Sequence, residues 1–184
     1  MKPSRRALET PSHSTLIIVS LYSAMSTSDP TFRAYSASEA KTYATHRLSY
    51  SPDLYSTILS HHGSTGGHFS LLLDVGCGPG NATRDLALSF DEAIGCDPGE
   101  QMIAAANELG GKTRSGEDVR FVVAGAEELS EIEALRGGSV DLLVAAMAVS
   151  FLGGLMRCDG MGNIDECRRI GLRCLSFGRG LREL

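Results

Sequence analysis

A glycine-rich turn between a buried strand and a helix constrains this chain more than any other feature. The turn reads Asp74-Val75-Gly76-Cys77-Gly78-Pro79-Gly80-Asn81 and follows the apolar run 71–73, which is typical of a parallel strand buried on both faces. Gly76 lets the chain turn sharply, Gly78 lets the backbone approach a ligand, and Gly80 opens a helix whose free N–H groups attract anionic groups. The turn therefore predicts a cleft for an extended, partly anionic cofactor.

Strands and helices alternate on both sides of this turn. The predicted strands are 71–75, 93–96, 119–124 and 140–146. The predicted helices are 36–47, 81–90, 99–109 and 126–135, with one more beginning at Ser51-Pro52-Asp53. This alternation predicts an α/β fold with a Rossmann-like, doubly wound parallel sheet, of which about four strands are recognisable.

The ends of the chain lack this pattern. We expect residues 1–30 to form a disordered extension or a weak targeting segment, because basic residues precede only a short apolar stretch there. We expect residues 152–184 to form a poorly ordered tail, because glycines and arginines are scattered through it. Since a sheet that stops after the fourth strand leaves an open edge, we expect a truncated chain; divergent strands in the tail are the alternative.

Composition excludes several functions. The formal net charge is −5 and the isoelectric point is about 5.5, which argues against a nucleic-acid-binding module. It has no apolar run of the roughly 18 to 20 residues that cross a membrane. Its five cysteines are irregularly spaced and distant from most histidines, so we expect no metal site, reduced thiols and a cytoplasmic location. The expected partners are small molecules.

Glycine spacing bears on the cofactor class. A dinucleotide fingerprint has glycine where this chain has Asn81. Asp97 follows Gly76 by about 20 residues, where a carboxylate can accept bonds from ribose hydroxyls in either cofactor class. An NAD(P)-binding oxidoreductase therefore remains an alternative, and Asp97 could also be only a helix cap.

Four segments together resemble class I S-adenosylmethionine-dependent methyltransferases. Residues 74–81 and 95–103 are similar to the first two motifs of that family, and 124–129 to the third. Residues 140–148 resemble its fourth strand and the floor of the methyl-donor pocket. The resemblance implies that residues 31–151 are the N-terminal half of an S-adenosylmethionine-binding methyltransferase domain.

The resemblance also implies where S-adenosyl-L-methionine binds. The glycine loop and Asp74 would surround its methionine part, Asp97 its ribose, and Pro98 with Met102 its adenine. The implied cofactor-binding residues are Asp74, Gly76, Cys77, Gly78, Gly80, Asp97, Pro98, Met102, Ala126, Glu127 and Met147. Met102 and Met147 could instead be core residues, and Cys77 a small loop residue.

The N-terminal segment bears on the methyl acceptor. Residues 43–47 and 50–52 are similar to trans-aconitate methyltransferase-like enzymes of the fungal type, which implies a small carboxylate acceptor beneath an N-terminal lid. Cationic side chains hold such an acceptor, and Arg33, His46 and Arg47 are the candidates. We assign no catalytic residue. The non-enzyme alternative is an inactive remnant that binds a partner.

Overall fold

The computed structural model describes residues 14–18, 35–46, 49–135, 140–145, 172–176 and 182–183. The strands are β1 Ser14–Ile18, β2 Leu71–Val75, β3 Glu92–Asp97, β4 Arg120–Val123, β5 Leu142–Val144, β6 Leu172–Ser176 and β7 Arg182–Glu183. The helices are α1 Ala37–His46, α2 Pro52–Ser64, α3 Asn81–Ala87 and α4 Glu100–Leu109. Two 3-10 helices, Ala126–Glu131 and Glu133–Leu135, follow β4.

The strands form one sheet in the order β4-β3-β2-β5-β1-β6-β7. All neighbours are parallel except β6 and β7. The central strand β2 pairs with β3 on one side, where Leu73 faces Ile94, and with β5 on the other, where Leu73 faces Leu143. Later strands therefore lie on both sides of β2, with β3 on one side and β5 on the other. Because β2 and β3 are parallel, the loops that follow them lie at the same end of the sheet. The predicted α/β, Rossmann-like fold class is confirmed.

Each face of the sheet packs against its own layer. Leu72 lies on the face covered by α2, α3 and α4, where Leu86, Phe90 and Ile103 are buried with it. Leu73 lies on the opposite face, against Leu129 of the 3-10 segment. Because successive strand residues point to opposite faces, a continuous apolar run in β2 serves both layers.

The structure between β4 and β5 differs from the prediction. A single acidic helix was predicted for residues 126–135, but the structure has two short 3-10 helices. They are separated by Ile132, whose backbone is extended with φ −71° and ψ 107°. Leu129 and Leu135 are both buried against the sheet, so packing of these two side chains overrides local helix propensity.

Three strands were not predicted. β1 lies within the expected N-terminal extension, and β6 and β7 lie within the expected tail. β1 contains the short apolar stretch that was interpreted as part of a targeting segment, and β6 and β7 carry arginine or serine among their few apolar residues. The remaining residues of both terminal segments lie outside the described part of the chain.

The start of α2 agrees with the sequence prediction. As predicted, α2 begins after Ser51, whose hydroxyl accepts a hydrogen bond from the Leu54 N–H at 3.3 Å, with proline at the first helical position.

Among the described residues, every helix is too short or too polar to cross a bilayer.

We expect His62 to make a pH-dependent contribution to stability. Its ring is fully buried, hydrogen-bonds the His68 carbonyl through Nε2 at 2.6 Å and packs against Phe69 and Phe90. Burial lowers the pKa of His62 below its usual value. The unfolded chain therefore binds this proton more readily, so the contribution of His62 to stability is fully present above about pH 6.5 and declines as pH falls.

Chemical denaturation of the wild-type chain and His62→Phe at about pH 7 and pH 5 checks this. The His62 contribution falls by up to about 2 kcal/mol across that range, and His62→Phe should lack this component. His46→Gln, at an exposed histidine, is the control that should retain it. Equal pH dependence in wild type and His62→Phe would contradict the prediction.

Candidate cofactor-binding site

The loop after β2 is fastened to the end of β3 through the backbone. The Cys96 carbonyl accepts hydrogen bonds from the N–H groups of Gly76 and Cys77 at 2.8 and 3.0 Å. Two donors on one oxygen bring the chain off β2 directly over the carboxyl end of β3. The ends of these two strands, which were predicted to form one site, are therefore adjacent.

The three glycines of this loop all have left-handed backbone conformations. Their φ angles are 72° at Gly76, 56° at Gly78 and 81° at Gly80, a region that residues with a Cβ rarely adopt. A Cβ on Gly78 would meet nothing within 4 Å, whereas one on Gly80 would lie 2.5 Å from the Phe121 ring. Gly78 thus borders open space, and Gly80 lets the loop pack on β4.

Asp97 connects the loop to the start of α4. Its Oδ2 accepts a hydrogen bond from the Gly78 N–H at 3.0 Å, and its Oδ1 accepts one from the Gly99 N–H at 2.8 Å. The second bond closes a turn onto Gly99, which is itself the N-cap residue of α4, so Asp97 is not the N-cap of that helix. The first bond places the carboxylate against the glycine loop. A carboxylate has about four acceptor positions, so these backbone bonds and a ligand role are compatible.

Asp74 is a buried carboxyl group with one partnered oxygen. Its side chain is 1% exposed, and its Oδ2 accepts a hydrogen bond from the Thr83 hydroxyl at 2.6 Å. Among the described residues, Oδ1 has no hydrogen-bond partner. Burial raises the pKa of Asp74 to about 6; the Thr83 bond opposes this rise and the charge of Asp97 adds to it. An ionised carboxylate held this way would be stabilised by a cationic ligand group.

Cys77 has the properties of a loop residue rather than a nucleophile. Burial raises the pKa of its thiol well above the usual value, and the charges of Asp74 and Asp97 raise it further. The reactive form of cysteine is the thiolate, which burial near two carboxylates disfavours. Its Sγ donates a weak hydrogen bond to the Gly78 carbonyl at 3.4 Å.

The residues predicted to contact the adenine lie near the beginning of α4 and in the first 3-10 helix. Pro98 is half-buried between β3 and α4, and Met102 of α4 is 2% exposed. Ala126 is half-buried at the start of a 3-10 helix that also contains Glu127. The preceding Gly125 N–H donates to the Glu128 carboxylate at 2.7 Å. Met147 lies outside the described residues.

Of the three cationic residues predicted to hold the methyl acceptor, the structure describes only His46. His46 ends α1, is exposed, and its Nδ1 lies 2.8 Å from the Thr42 carbonyl oxygen. Arg33 and Arg47 lie outside the described residues. Within the described part of the chain, no group of three or more histidine, cysteine, aspartate or glutamate side chains could hold a metal ion.

Sequence reasoning missed two residues that build the site. Thr83 bonds Asp74 from the first turn of α3, and Phe121 of β4 packs against Gly80 and Gly95. The position of Thr83, one turn after the glycine loop, could have indicated it. Phe121 carries no such signal, since its contact with the loop depends on the pairing of β3 with β4.

Parts of this sequence are similar to parts of known proteins. Residues 72–159 match a family model described as a methyltransferase domain. The protein named "Probable S-adenosylmethionine-dependent methyltransferase CRG1" of Saccharomyces cerevisiae is 35% identical over 111 residues, 60% of this chain and 36% of that protein. Methyltransferase cfoB of Aspergillus candidus is 33% identical over 125 residues, 67% of this chain and 38% of that protein. This chain therefore spans little more than a third of the length of these two relatives.

Solved structures add a more distant likeness. The magnesium protoporphyrin IX methyltransferase ChlM of Synechocystis PCC 6803, solved with bound SAH, has a TM-score of 0.40 and 16% sequence identity. The alignment covers 62% of this chain and 54% of that one.

We expect Gly80→Ala to destabilise the fold more than a glycine substitution that meets only backbone strain. The left-handed φ alone costs roughly 1–2 kcal/mol for alanine, and the displaced Phe121 ring adds about 1–3 kcal/mol. Gly66→Ala is a matched control, because Gly66 has φ 82° and a Cβ there would meet nothing within 4 Å. Urea denaturation should show the larger loss for Gly80→Ala; equal losses would contradict the packing role.

Proposed function

Since residues 72–159 match a methyltransferase domain, we propose that this chain binds S-adenosyl-L-methionine and acts in the transfer of its methyl group to a small-molecule acceptor. The observation that carries the proposal is the junction of the two strand ends. There the left-handed Gly78 borders open space, and its N–H is bonded to the Asp97 carboxylate. A cofactor with a ribose and an amino-acid end can lie across this junction, with each end near a carboxylate.

The site offers a separate group for each part of this cofactor. Asp97, at the end of β3, would accept bonds from the ribose hydroxyls, and the loop Gly76–Gly80 would lie beneath the methionine part. The buried Asp74 would face the cationic ammonium group, whose charge offsets the cost of the buried carboxylate. Pro98 and the turn beginning at Ala126 would flank the adenine.

Methyl transfer asks little acid–base chemistry of the protein. The bound cofactor supplies an activated methyl group on a sulfonium, so the protein's part is alignment in a pocket that excludes water. An ionised carboxylate acceptor needs no base. The glycine loop, held by the Cys96 carbonyl and by Asp97, would fix the donor's position for in-line attack.

The acceptor belongs to the same proposal. A small carboxylate such as trans-aconitate would suit an N-terminal segment bearing Arg33, His46 and Arg47, of which the structure describes only His46. We further propose a cytoplasmic location, in keeping with two free cysteines, Cys77 and Cys96, among the described residues. Since the chain spans 36% of one relative, binding of the donor without turnover is the competing outcome.

An NAD(P)-binding oxidoreductase is the second candidate from the sequence. In the dinucleotide fingerprint a glycine stands at the position of Asn81 so that helix and sheet pack closely. Here the Asn81 side chain is engaged at the helix start, where its Oδ1 accepts a hydrogen bond from Arg84 at 2.7 Å. The departure from glycine at this position, rather than the bond itself, favours the methyl-donor class. Thermal stabilisation by NAD but not by S-adenosylhomocysteine would reverse the assignment.

We expect Asp97→Ala to weaken binding of S-adenosylhomocysteine by at least about tenfold, because hydrogen bonds to a charged group contribute about 1.5–3 kcal/mol. Isothermal titration calorimetry measures the dissociation constant, and circular dichroism confirms folding. Glu92→Ala is the matched control, because Glu92 lies at the opposite end of the same strand and is exposed. No binding by the folded wild-type chain would refute the proposed function.

We expect binding to release protons near pH 6 through Asp74. The ammonium group of the ligand lowers the pKa of Asp74 from about 6, so the free site holds more protons than the complex. Affinity for S-adenosylhomocysteine should therefore rise as pH increases from about 5 to 7 and then level off. Calorimetry in buffers of different ionisation enthalpy measures the released protons, and Asp74→Asn should abolish the release. Release that persists in Asp74→Asn would assign it to another group.

A further inference from the structure

Arg84 of α3 bonds the glycine loop and the start of its own helix at the same time. Its Nη1 donates to the Pro79 carbonyl at 2.8 Å, and its Nη2 donates to the Asn81 Oδ1 at 2.7 Å. Both are charge-assisted hydrogen bonds from a rigid planar group. The guanidinium therefore fixes a loop carbonyl relative to the first residue of the helix.

The Pro79 carbonyl controls the direction of the next N–H group. A trans peptide is planar, so its C=O and N–H point in opposite directions. When the Pro79 oxygen points to Arg84, the Gly80 N–H points the other way, where it donates to the Cys77 carbonyl at 3.0 Å. The bond from Arg84 thus supports the closed turn from Cys77 to Gly80.

Two glycines make room for the Arg84 side chain. A Cβ on Gly111, in the connection between α4 and β4, would lie 2.7 Å from the Arg84 Cγ. A Cβ on Gly80 would lie 3.0 Å from its Nη1. The side chain therefore occupies a slot between the loop and the chain leaving α4, which restricts it to the conformation that makes both bonds.

Burial strengthens this arrangement. The side chain is half-buried, and desolvation lowers the pKa of Arg84, although the nearby Asp85 opposes the change. Since arginine stays charged in proteins, a partly desolvated guanidinium needs good acceptors. Turning the Pro79–Gly80 peptide away would leave it with one partner fewer, at the cost of an unsatisfied charged donor.

We propose that Arg84 is a positioning residue for the cofactor, which acts through the loop backbone by keeping the turn from Cys77 to Gly80 closed, with Gly78 held against the Asp97 carboxylate. This inference rests on the proposed function, because it concerns the same loop. It differs from a purely structural role for the Asn81–Arg84 pair, which would stabilise α3 without affecting ligand affinity.

The test uses the full chain and three variants. Arg84→Met keeps an apolar stem in the slot and removes both donors, whereas Arg84→Lys keeps a charged donor but loses the planar fork. Arg120→Met is the matched control, since Arg120 is an exposed arginine that pairs with Glu92 away from the loop. The measurements are the dissociation constant for S-adenosylhomocysteine, the melting temperature, and hydrogen exchange at the Gly80 amide.

We expect Arg84→Met to weaken binding about tenfold, which corresponds to about 1.4 kcal/mol, and to speed exchange at Gly80. Arg84→Lys should lie between it and wild type, and Arg120→Met should bind as wild type does. An unchanged dissociation constant in folded Arg84→Met, even with a lower melting temperature, would overturn the positioning role. If Arg84→Met does not fold, Arg84→Lys decides the matter by the same criterion.

The two proposals fail in different ways. If the folded wild-type chain binds no S-adenosylhomocysteine, the proposed function fails, and the cofactor role of Arg84 fails with it. If wild type binds and folded Arg84→Met binds equally well, only the inference about Arg84 is overturned.

Discussion

The Cys96 carbonyl is the point on which the candidate site depends. By accepting the N–H groups of Gly76 and Cys77, it continues the pairing of the chain with β3 beyond Val75, the last residue of β2. The backbone then has to reverse within a few residues to begin α3, which only a run of left-handed glycines allows. The position of the loop, the direction of α3 and the closeness of Asp97 to Gly78 all follow from this one pairing.

The carboxylates of the site combine structural and ligand-binding demands. Asp97 is bonded to two backbone N–H groups, so it holds the loop and α4 together without any ligand. Asp74 is buried with a raised pKa and has one oxygen with no hydrogen-bond partner among the described residues. Burying such a group costs stability, and a cationic ligand offsets that cost.

Prediction from the sequence succeeded where the signal was local. The apolar run of β2, the serine cap of α2 and the acid that ends β3 are each readable within a few residues. It was less successful for residues 126–135, where burial of Leu129 and Leu135 against the sheet favours two short turns over one helix. It missed β1, whose place between β5 and β6 depends on segments far apart in the chain.

The sequence by itself determined the strand-loop-helix unit and the acid on the neighbouring strand. Three glycines, which have no Cβ, allow the loop the left-handed backbone conformations that other residues rarely adopt. Only the tertiary structure decided which side chains support the loop. Phe121 packs on Gly80, and the Arg84 side chain lies against Gly111, because the parallel strands β2, β3 and β4 bring these positions together. Such contacts depend on the three-dimensional register of distant segments, which no local pattern of residues encodes.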